Sequence, residues 1–173
     1  MKDFLELSKS RYSVRNFKPD KISEEELEKI LEAGRLAPTA CNYQPQKIFV
    51  VESEEARQSL KQATKMTYDA PIVLAVCYDK KQCWYSPFQE DYNSGEMDAC
   101  IVTTAMMMEA ADLGIGSVWI RGYRTKDIAE ALHIPEDYQL VCLLPIGYID
   151  HDKKISWTLH GKRKPIEETV KRI

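Results

Sequence analysis

The stretch Pro38-Thr39-Ala40-Cys41-Asn42-Tyr43-Gln44-Pro45 separates two segments with different periodicity. Before it, Ser23 and Glu26 have the spacing of a capping box at the start of an amphipathic helix. After it, Lys47-Ile48-Phe49-Val50-Val51 has the composition of a strand. Because a proline disfavours helical geometry in the residue before it, the helix must end before Pro38, and residues 39–46 are predicted as a polar loop.

Helices and strands alternate along the rest of the chain. Further helices are predicted over residues 2–9, 54–65, 96–113 and 125–132, and further strands over 72–77, 116–120 and 138–146. The helix over 96–113 is apolar on several sides, which predicts burial in the core or against a partner subunit. Residues 78–94 lack a regular period and are predicted as an excursion over the core. The polar residues after Gly147 are predicted as a C-terminal arm.

Length and charge limit the classes of function. A chain of 173 residues is predicted to form a single domain spanning residues 1–173. The formal net charge of -3 provides no overall basic field, so nucleic acid is not an expected partner. No uncharged apolar run approaches the roughly 18 residues that a membrane span requires, so no membrane association is expected.

Five cysteines form no Cys-x-x-Cys pair, and their odd number does not make a closed disulfide set. We therefore expect reduced thiols and a cytoplasmic location. No metal site is expected either, because three histidines are far apart in sequence and are interpreted as solvent-facing: His133, His151 and His160.

Common nucleotide-binding and hydrolase motifs are missing. Gly114-x-Gly116 is followed by Trp119 where the dinucleotide fingerprint requires a third glycine. The sequence contains no Gly-Lys-Ser/Thr phosphate loop and no Gly-x-Ser-x-Gly nucleophile elbow. Another explanation is needed for the arginines that stand beside small polar residues near the ends of the chain.

These arginines lie in Arg11-Tyr12-Ser13-Val14-Arg15 and in Gly161-Lys162-Arg163-Lys164-Pro165. A guanidinium offers a planar fork of donors that matches a phosphate, so an anionic cofactor would explain both segments. Taken alone, Arg11 and Arg15 could also be a solvated surface pair that follows a helix.

Together with residues 38–45, these segments resemble the FMN-dependent nitroreductase family. Its pattern begins Arg-x-Ser-x-Arg-x-Phe, continues Ala-Pro-Ser-x-x-Asn-x-Gln-Pro and ends Arg-x-Pro, and the resemblance runs from about Ser10 to Pro165. The resemblance implies an α+β fold with a mostly antiparallel central sheet flanked by helices, which periodicity alone does not decide. It also implies FMN as cofactor and NAD(P)H as electron donor.

The resemblance assigns a role to particular side chains. Arg11, Ser13 and Arg163 would hold the FMN phosphate, and Arg15 would lie near N1 and the C2 carbonyl of the ring. The backbone amides of Arg121 and Gly122 would reach N5 and O4. The remaining predicted cofactor-binding residues are Tyr12, Pro38, Thr39, Asn42, Gln44, Gln62, Trp119 and Lys164. For Trp119, a core position on a strand is an equal alternative.

In related proteins the loop carrying Asn42 and Gln44 reaches the flavin of the second subunit, which implies a homodimer with FMN at the subunit interface. The alternative is a simple helix-ending turn in which Asn42 satisfies backbone groups. The excursion over residues 78–94 would supply the residues that cover the substrate: Trp84, Tyr85 and Phe88. The alternative is a loop folded onto its own core.

The implied reaction is a ping-pong transfer of hydride from NAD(P)H through flavin N5 to a nitroaromatic, quinone or similar acceptor. No catalytic side chain is required, since the flavin carries the chemistry. Two alternatives keep the flavin: another reaction on the same fold, such as flavin fragmentation or dehalogenation, and a non-catalytic flavin-binding or sensor protein. An interaction module without cofactor would require all the matched segments to be coincidental.

Overall fold

A computed structural model describes residues 3–152 and 160–173. Its helices are α1 (Phe4–Ser10), α2 (Glu24–Arg35), α3 (Glu54–Ala63), α4 (Gly95–Asp112), α5 (Thr125–Ala131) and α6 (Ile166–Thr169). Its strands are β1 (Gln46–Val51), β2 (Ile72–Asp79), β3 (Gly116–Ser117) and β4 (Tyr138–Gly147). The strands form one antiparallel sheet in the order β1-β2-β4-β3. The predicted α+β fold with an antiparallel sheet is confirmed.

The sequence signals for helix starts act as expected. Ser23 Oγ accepts a hydrogen bond from the Glu26 amide at 3.3 Å, and Glu26 Oε2 accepts one from the Ser23 amide at 2.9 Å. Ser53 Oγ likewise accepts from the Ala56 amide at the start of α3. These bonds satisfy amides that the first helical turn leaves unpaired.

The sheet has a core on each face because β2 and β4 are apolar on both sides. Ile72, Leu74 and Val76 face a cluster that includes residues of α2 and α4, whereas Val73, Ala75 and Cys77 face a cluster that includes Leu60 of α3 and Ile128 of α5. The alternation follows from the two-residue period of a strand. Helices therefore cover the two faces of the sheet in pairs.

Helix α4 is buried along most of its length, as its apolar sequence predicts. Val102, Met106 and Ala110 are fully buried, whereas Met97 and Ile101 keep 49% and 42% of their surface exposed. Part of the exposed surface of α4 is thus apolar, beside the exposed polar residues Glu96, Thr104 and Asp112.

The strand predicted over residues 116–120 is too long. Only Gly116 and Ser117 pair with β4, and Ile120 forms an isolated bridge to Leu143. The Val118 amide donates to the Pro145 carbonyl at 3.2 Å, but a proline has no amide to return the bond, so the ladder is interrupted there.

The end of β2 also differs from the sequence prediction. Strand β2 continues to Asp79, so the excursion begins after it. Residues 153–159 of the predicted C-terminal arm lie outside the described residues. Within residues 160–173 the arm contains the four-residue helix α6, and Ile166, Val170 and Ile173 are exposed.

Within the described ranges, none of the helices combines the length and the apolar character that a bilayer span requires.

Candidate functional site

The segment over residues 11–15 is held against β3. Ser13 and Ser117 form a parallel bridge, and the Val14 amide donates to the Ser117 carbonyl at 2.9 Å. Val14 is buried, which fixes the backbone between the side chains of Arg11 and Arg15. The two arginines are therefore presented from a segment that is anchored to the sheet.

Gly116 permits this close approach. A Cβ at Gly116 would lie 2.9 Å from Val14 Cγ1 and 2.9 Å from Ile149 Cγ1. Any other residue would push the N-terminal segment away from β3.

Arg11 and Arg163 come together from opposite ends of the chain. Burial lowers the pKa of Arg11 below its ordinary value, and the nearby positive charge of Arg163 lowers it further. Among the described residues, neither guanidinium has a carboxylate within 4 Å. Two like charges without an acid to neutralise them are suited to an external anion, so the residues present fit an FMN phosphate.

The C-terminal segment reaches this place through His160. The rings of His160 and Tyr12 meet edge to face with centroids 6.1 Å apart, and His160 Nε2 lies 2.9 Å from the Lys9 carbonyl oxygen. Burial raises the pKa of Tyr12. The interpretation of His160 as solvent-facing is therefore wrong, whereas His133 and His151 are exposed as predicted. No sequence signal marked His160, because its contacts are made across 148 and 151 residues.

Lys164 does not join this cluster by any contact in the described part of the chain. Its Nζ lies 3.9 Å from Glu168 Oε2, one helical turn further along α6. Arg163 in turn donates from Nη1 to the carbonyls of His160 and Lys162.

Arg15 lies at the other end of the segment, over the ring of Tyr68. The distance from Arg15 Cζ to the ring centroid is 6.0 Å, and Arg15 Nη1 donates to the Ser13 carbonyl at 3.3 Å. Tyr68 belongs to the connection between α3 and β2. The same connection brings Met66 close to Gly122, where a Cβ would lie 3.7 Å from Met66 Cε.

Sequence reasoning missed Met66 and Tyr68 and selected Gln62 nearby. Gln62 is an exposed residue of α3, and within the described residues no hydrogen bond or ion pair links it to the other predicted site residues. Tyr68 and Asp69 have positive φ, which the sequence alone did not predict.

Residues 119–122 divide between core and surface. Trp119 is half-buried and packs against the cluster beneath α2 and α4, in agreement with the core alternative. Arg121 and Gly122 are exposed. The Arg121 side chain donates to Thr125 Oγ1 at 3.2 Å and lies over the Tyr123 ring, with 5.9 Å between Cζ and the centroid.

The loop over residues 38–45 has an unusual backbone. Cys41, Asn42 and Gln44 all have positive φ, between 50° and 56°. The Gln44 amide donates to Thr39 Oγ1 at 3.0 Å, and Gln44 Nε2 donates to the Asn42 carbonyl at 3.2 Å. Each left-handed residue costs conformational energy that the rest of the structure must offset.

Asp98 of α4 anchors this loop. Its Oδ1 accepts a hydrogen bond from the Ala40 amide at 2.9 Å, and its Oδ2 accepts one from Ser94 Oγ at 2.6 Å. The side chains of Asp98 and Ser94 are both buried. Asp98 was not expected in this role, since it appears in the sequence as an ordinary acidic residue in the first turn of a helix.

With the loop held in this way, Pro38, Asn42 and Gln44 are exposed and Thr39 is half-buried. In the described residues, no hydrogen bond, ion pair or ring contact joins the loop to Arg11, Arg15 or Arg121. The structure thus brings the N-terminal and C-terminal motifs together, whereas the middle motif makes no such contact with them within the described residues.

The excursion after β2 is more ordered than its sequence suggests. Tyr85 and Asn93 form an antiparallel bridge, and the Ser86 amide donates to the Tyr92 carbonyl at 2.9 Å. Trp84 is half-buried, Tyr85 is exposed, and Phe88 near the tip is 95% exposed. Aromatic surface is therefore carried outward on a hairpin-like projection.

Two concavities differ in their relation to these residues. A cleft of about 170 Å³ is lined by Arg11, Tyr12, Gly116 and Ser117, among others. A larger surface groove of about 770 Å³ lies along α2 and Glu109 and includes none of the predicted site residues. Because ligand pockets usually have volumes of about 300 Å³ or more, the cleft of a single chain is small for a cofactor.

The described residues contain no group of three or more His, Cys, Asp or Glu side chains arranged to hold a metal ion. All five cysteines are free. Burial raises the pKa of Cys77 and that of Cys142 to about 12, so these thiols remain protonated and unreactive at neutral pH.

Comparisons with known proteins identify the family of this chain. The model of the nitroreductase family matches residues 8–68 and 63–148. A protein of Archaeoglobus fulgidus, provisionally named an NADH dehydrogenase/NAD(P)H nitroreductase, is 33% identical over 160 residues, which cover 88% of this chain and 89% of the relative.

Solved structures give the same result. A nitroreductase family protein from Clostridium difficile 630 is 38% identical, with a TM-score of 0.89 and coverage of 98% of both chains. An FMN-dependent nitroreductase from Clostridium difficile R20291 is 26% identical, with a TM-score of 0.77 and coverage of 97% of this chain and 98% of that one. Sequence, fold and relatives agree that this chain belongs to the nitroreductase family of oxidoreductases.

Proposed function

We propose that the protein is an FMN-dependent oxidoreductase that uses NAD(P)H. The observation that carries the proposal is the packing of the C-terminal segment against the N-terminal one: His160 contacts Tyr12 and the Lys9 carbonyl, which brings Arg163 near Arg11. Among the described residues, neither arginine has a carboxylate within 4 Å. The FMN dependence of one solved relative supports the proposal.

Different residues of the site would bind different parts of FMN. Arg11, Ser13 and Arg163 would donate to the phosphate, which matches the geometry of guanidinium donors. Arg15 would place a positive charge where negative charge develops on reduction, and the backbone amides of Arg121 and Gly122 would hold the opposite side of the ring. The other proposed contacts are Tyr12, Pro38, Thr39, Asn42, Gln44, Trp119 and Lys164.

FMN held by these residues would supply the redox chemistry of a ping-pong transfer of hydride from NAD(P)H to a nitroaromatic, quinone or similar acceptor. The chain's own contribution is orientation, exclusion of water and a fixed electrostatic field. The aromatic projection with Trp84, Tyr85 and Phe88 would cover the acceptor.

We further propose that the active form is a homodimer. Phe4, Leu5, Met97 and Ile101 on α1 and α4 leave apolar side chains exposed, which is costly unless another surface covers them. The small cleft beside Arg11 and the outward direction of Asn42 and Gln44 support a site completed by the loop of a second copy.

The first experiment measures FMN binding by absorbance and fluorescence titration. Replacing Arg11 or Arg163 by Ala should weaken binding by about 10- to 100-fold, because each removes a charge-assisted hydrogen bond. Arg35→Ala is the matched control, since Arg35 is an exposed arginine already paired with Glu32. A colourless wild-type protein that binds no FMN at micromolar concentration would refute the proposal.

The second experiment measures mass by size-exclusion chromatography with light scattering. Ile101→Glu should convert a dimer to a monomer and weaken FMN binding, whereas Gln58→Glu, which adds the same carboxylate to an exposed position of α3, should do neither. A wild-type monomer that retains FMN would contradict the shared site.

The third experiment separates the possible reactions. Anaerobic titration of the FMN-loaded protein with NADH and with NADPH should bleach the flavin spectrum, and a nitro compound or quinone should restore it. A flavin that neither nucleotide reduces would favour the sensor alternative. Reduction without turnover of these acceptors would favour another flavin reaction. The cytoplasmic location stays a prediction, which fractionation of cells would test.

A further inference from the structure

The connection between α3 and β2, residues 64–71, touches two parts of the proposed site that are far apart in sequence. The Tyr68 ring lies under the guanidinium of Arg15, and Met66 Cε approaches Gly122. Tyr68 Oη and Met66 Sδ are 3.9 Å apart, which links the two contacts. The connection therefore joins the residue proposed at N1 to the residue proposed at N5.

This connection is held in a conformation that the chain would not adopt by itself. Tyr68 and Asp69 have φ of 54° and 56°, in the left-handed region that disfavours side chains with a Cβ. Several contacts hold it: the Ala70 amide donates to the Thr67 carbonyl at 3.1 Å, and Asp69 Oδ1 lies 2.6 Å from Lys61 Nζ. Thr67 is buried. Strain of this kind persists where surrounding structure enforces it, and it is common at functional sites.

Arg15 has few other restraints in the described part of the chain. It is exposed, it has no carboxylate within 4 Å, and its hydrogen bond goes to the carbonyl of Ser13, two residues away. A long side chain with so few contacts loses its position easily. The ring of Tyr68 provides the remaining contact, and it is itself packed against the second core.

We infer that Tyr68 is a positioning residue for Arg15, holding the guanidinium by a cation–π contact so that its charge is already in place when the flavin is reduced. This inference rests on the proposed function. A preorganised charge stabilises developing negative charge without reorganisation, whereas a mobile one is solvated and screened. Loss of the ring should therefore weaken the binding of reduced FMN more than that of oxidised FMN.

The test measures the reduction potential of bound FMN and the Kd of oxidised FMN in Tyr68 variants, with Arg15 present and with Arg15→Gln. In the Arg15 background, Tyr68→Leu should reduce the preference for reduced over oxidised FMN by about two- to fivefold, the size of an exposed cation–π contact. Tyr68→Phe keeps the π face and should keep the potential. In the Arg15→Gln background, Tyr68→Leu should have no further effect.

The inference would be overturned if Tyr68→Leu shifted the reduction potential equally in both backgrounds or did not shift it at all. It would also be overturned if Tyr68→Phe shifted the potential as much as Tyr68→Leu. Tyr68→Met keeps apolar contact without a π face and gives the same comparison if Tyr68→Leu does not fold. If the wild-type protein binds FMN but the Tyr68 variants have the same reduction potential as the wild type, only this inference is refuted. A wild-type protein that binds no FMN refutes the proposed function and this inference with it.

Discussion

Residues 11–15 and residues 38–45 both carry polar side chains proposed to contact FMN, but different forces hold them in place. The first segment lies against β3 through a backbone hydrogen bond and the buried side chain of Val14. The second is exposed over residues 41–44 and has three left-handed residues; it is held by the buried carboxylate of Asp98 and by the Asp79 amide, which donates to the Pro45 carbonyl at 2.8 Å. The first segment is therefore packed within one chain, whereas residues 41–44 of the second keep exposed side chains, which are available for the contact with a second copy that we propose.

Removing the anchor of the loop is the strongest way to break this comparison. Asp98→Ala should lower the free energy of unfolding by about 2 to 3 kcal/mol, because it leaves the Ala40 amide and the buried Ser94 hydroxyl without their acceptor. Urea unfolding measures the change. Asp112→Ala, at the exposed end of the same helix, should stay within about 0.5 kcal/mol of the wild type. An equally small effect for both variants would show that Asp98 does not hold the loop.

The corresponding test on the N-terminal segment adds a methyl group to β3, where this segment packs closely against Gly116. Gly116→Ala should cost about 1 to 3 kcal/mol of stability, since the new Cβ would lie 2.9 Å from Val14 Cγ1. Val14→Ala removes that methyl group, so the cost of Gly116→Ala should be smaller in its background, as a double-mutant cycle from urea unfolding would show. The same cost in both backgrounds would mean that Val14 is not the residue that opposes the change.

Backbone strain distinguishes the two segments further. Cys41→Gly should raise the free energy of unfolding by about 0.5 to 1 kcal/mol, because glycine tolerates the φ of 50° that a cysteine resists. Cys100→Gly is the opposite control: in the interior of α4 the same change should destabilise by at least about 1 kcal/mol. A destabilising Cys41→Gly would indicate that the exposed Cys41 side chain makes a contact that outweighs the strain.

The smallest expected effect concerns a hydrogen bond outside both segments. Tyr148 Oη donates to Glu26 Oε2 at 2.7 Å, which ties the start of α2 to the residue after β4. This bond and those from Ser23 lower the pKa of Glu26. Tyr148→Phe should therefore slightly lower stability at pH 7.

The pH dependence of this effect has a definite sign. Because Glu26 is more acidic in the folded state, its contribution is present above the ordinary Glu pKa of about 4.3 and is lost as the pH falls through the lower folded-state pKa. The stability difference between wild type and Tyr148→Phe, followed by thermal unfolding from pH 7 to pH 3, should shrink below pH 4. A difference that is constant over this range would show that Glu26 is not involved.

Most elements were predictable because local rules and burial agree. The capping box at Ser23, the apolar run of β2 and the apolar helix α4 each combine a local signal with a buried face. The predicted length of β3 was wrong because Pro145, 25 or more residues away, interrupts the ladder. Residues 116–120 themselves contain no signal of this interruption. Strand ends are set by the neighbouring strand as much as by their own sequence.

The sequence by itself determined the order of helices and strands, the two motifs that carry Arg11 and Arg163, and the family to which they point. Tertiary structure alone decided that Tyr68 lies under Arg15, that Asp98 supports the loop at Ala40, and that His160 meets Tyr12. The physical reason is distance along the chain. Capping and periodicity act over a few residues, whereas these contacts exist only after the sheet and helices have brought distant segments together.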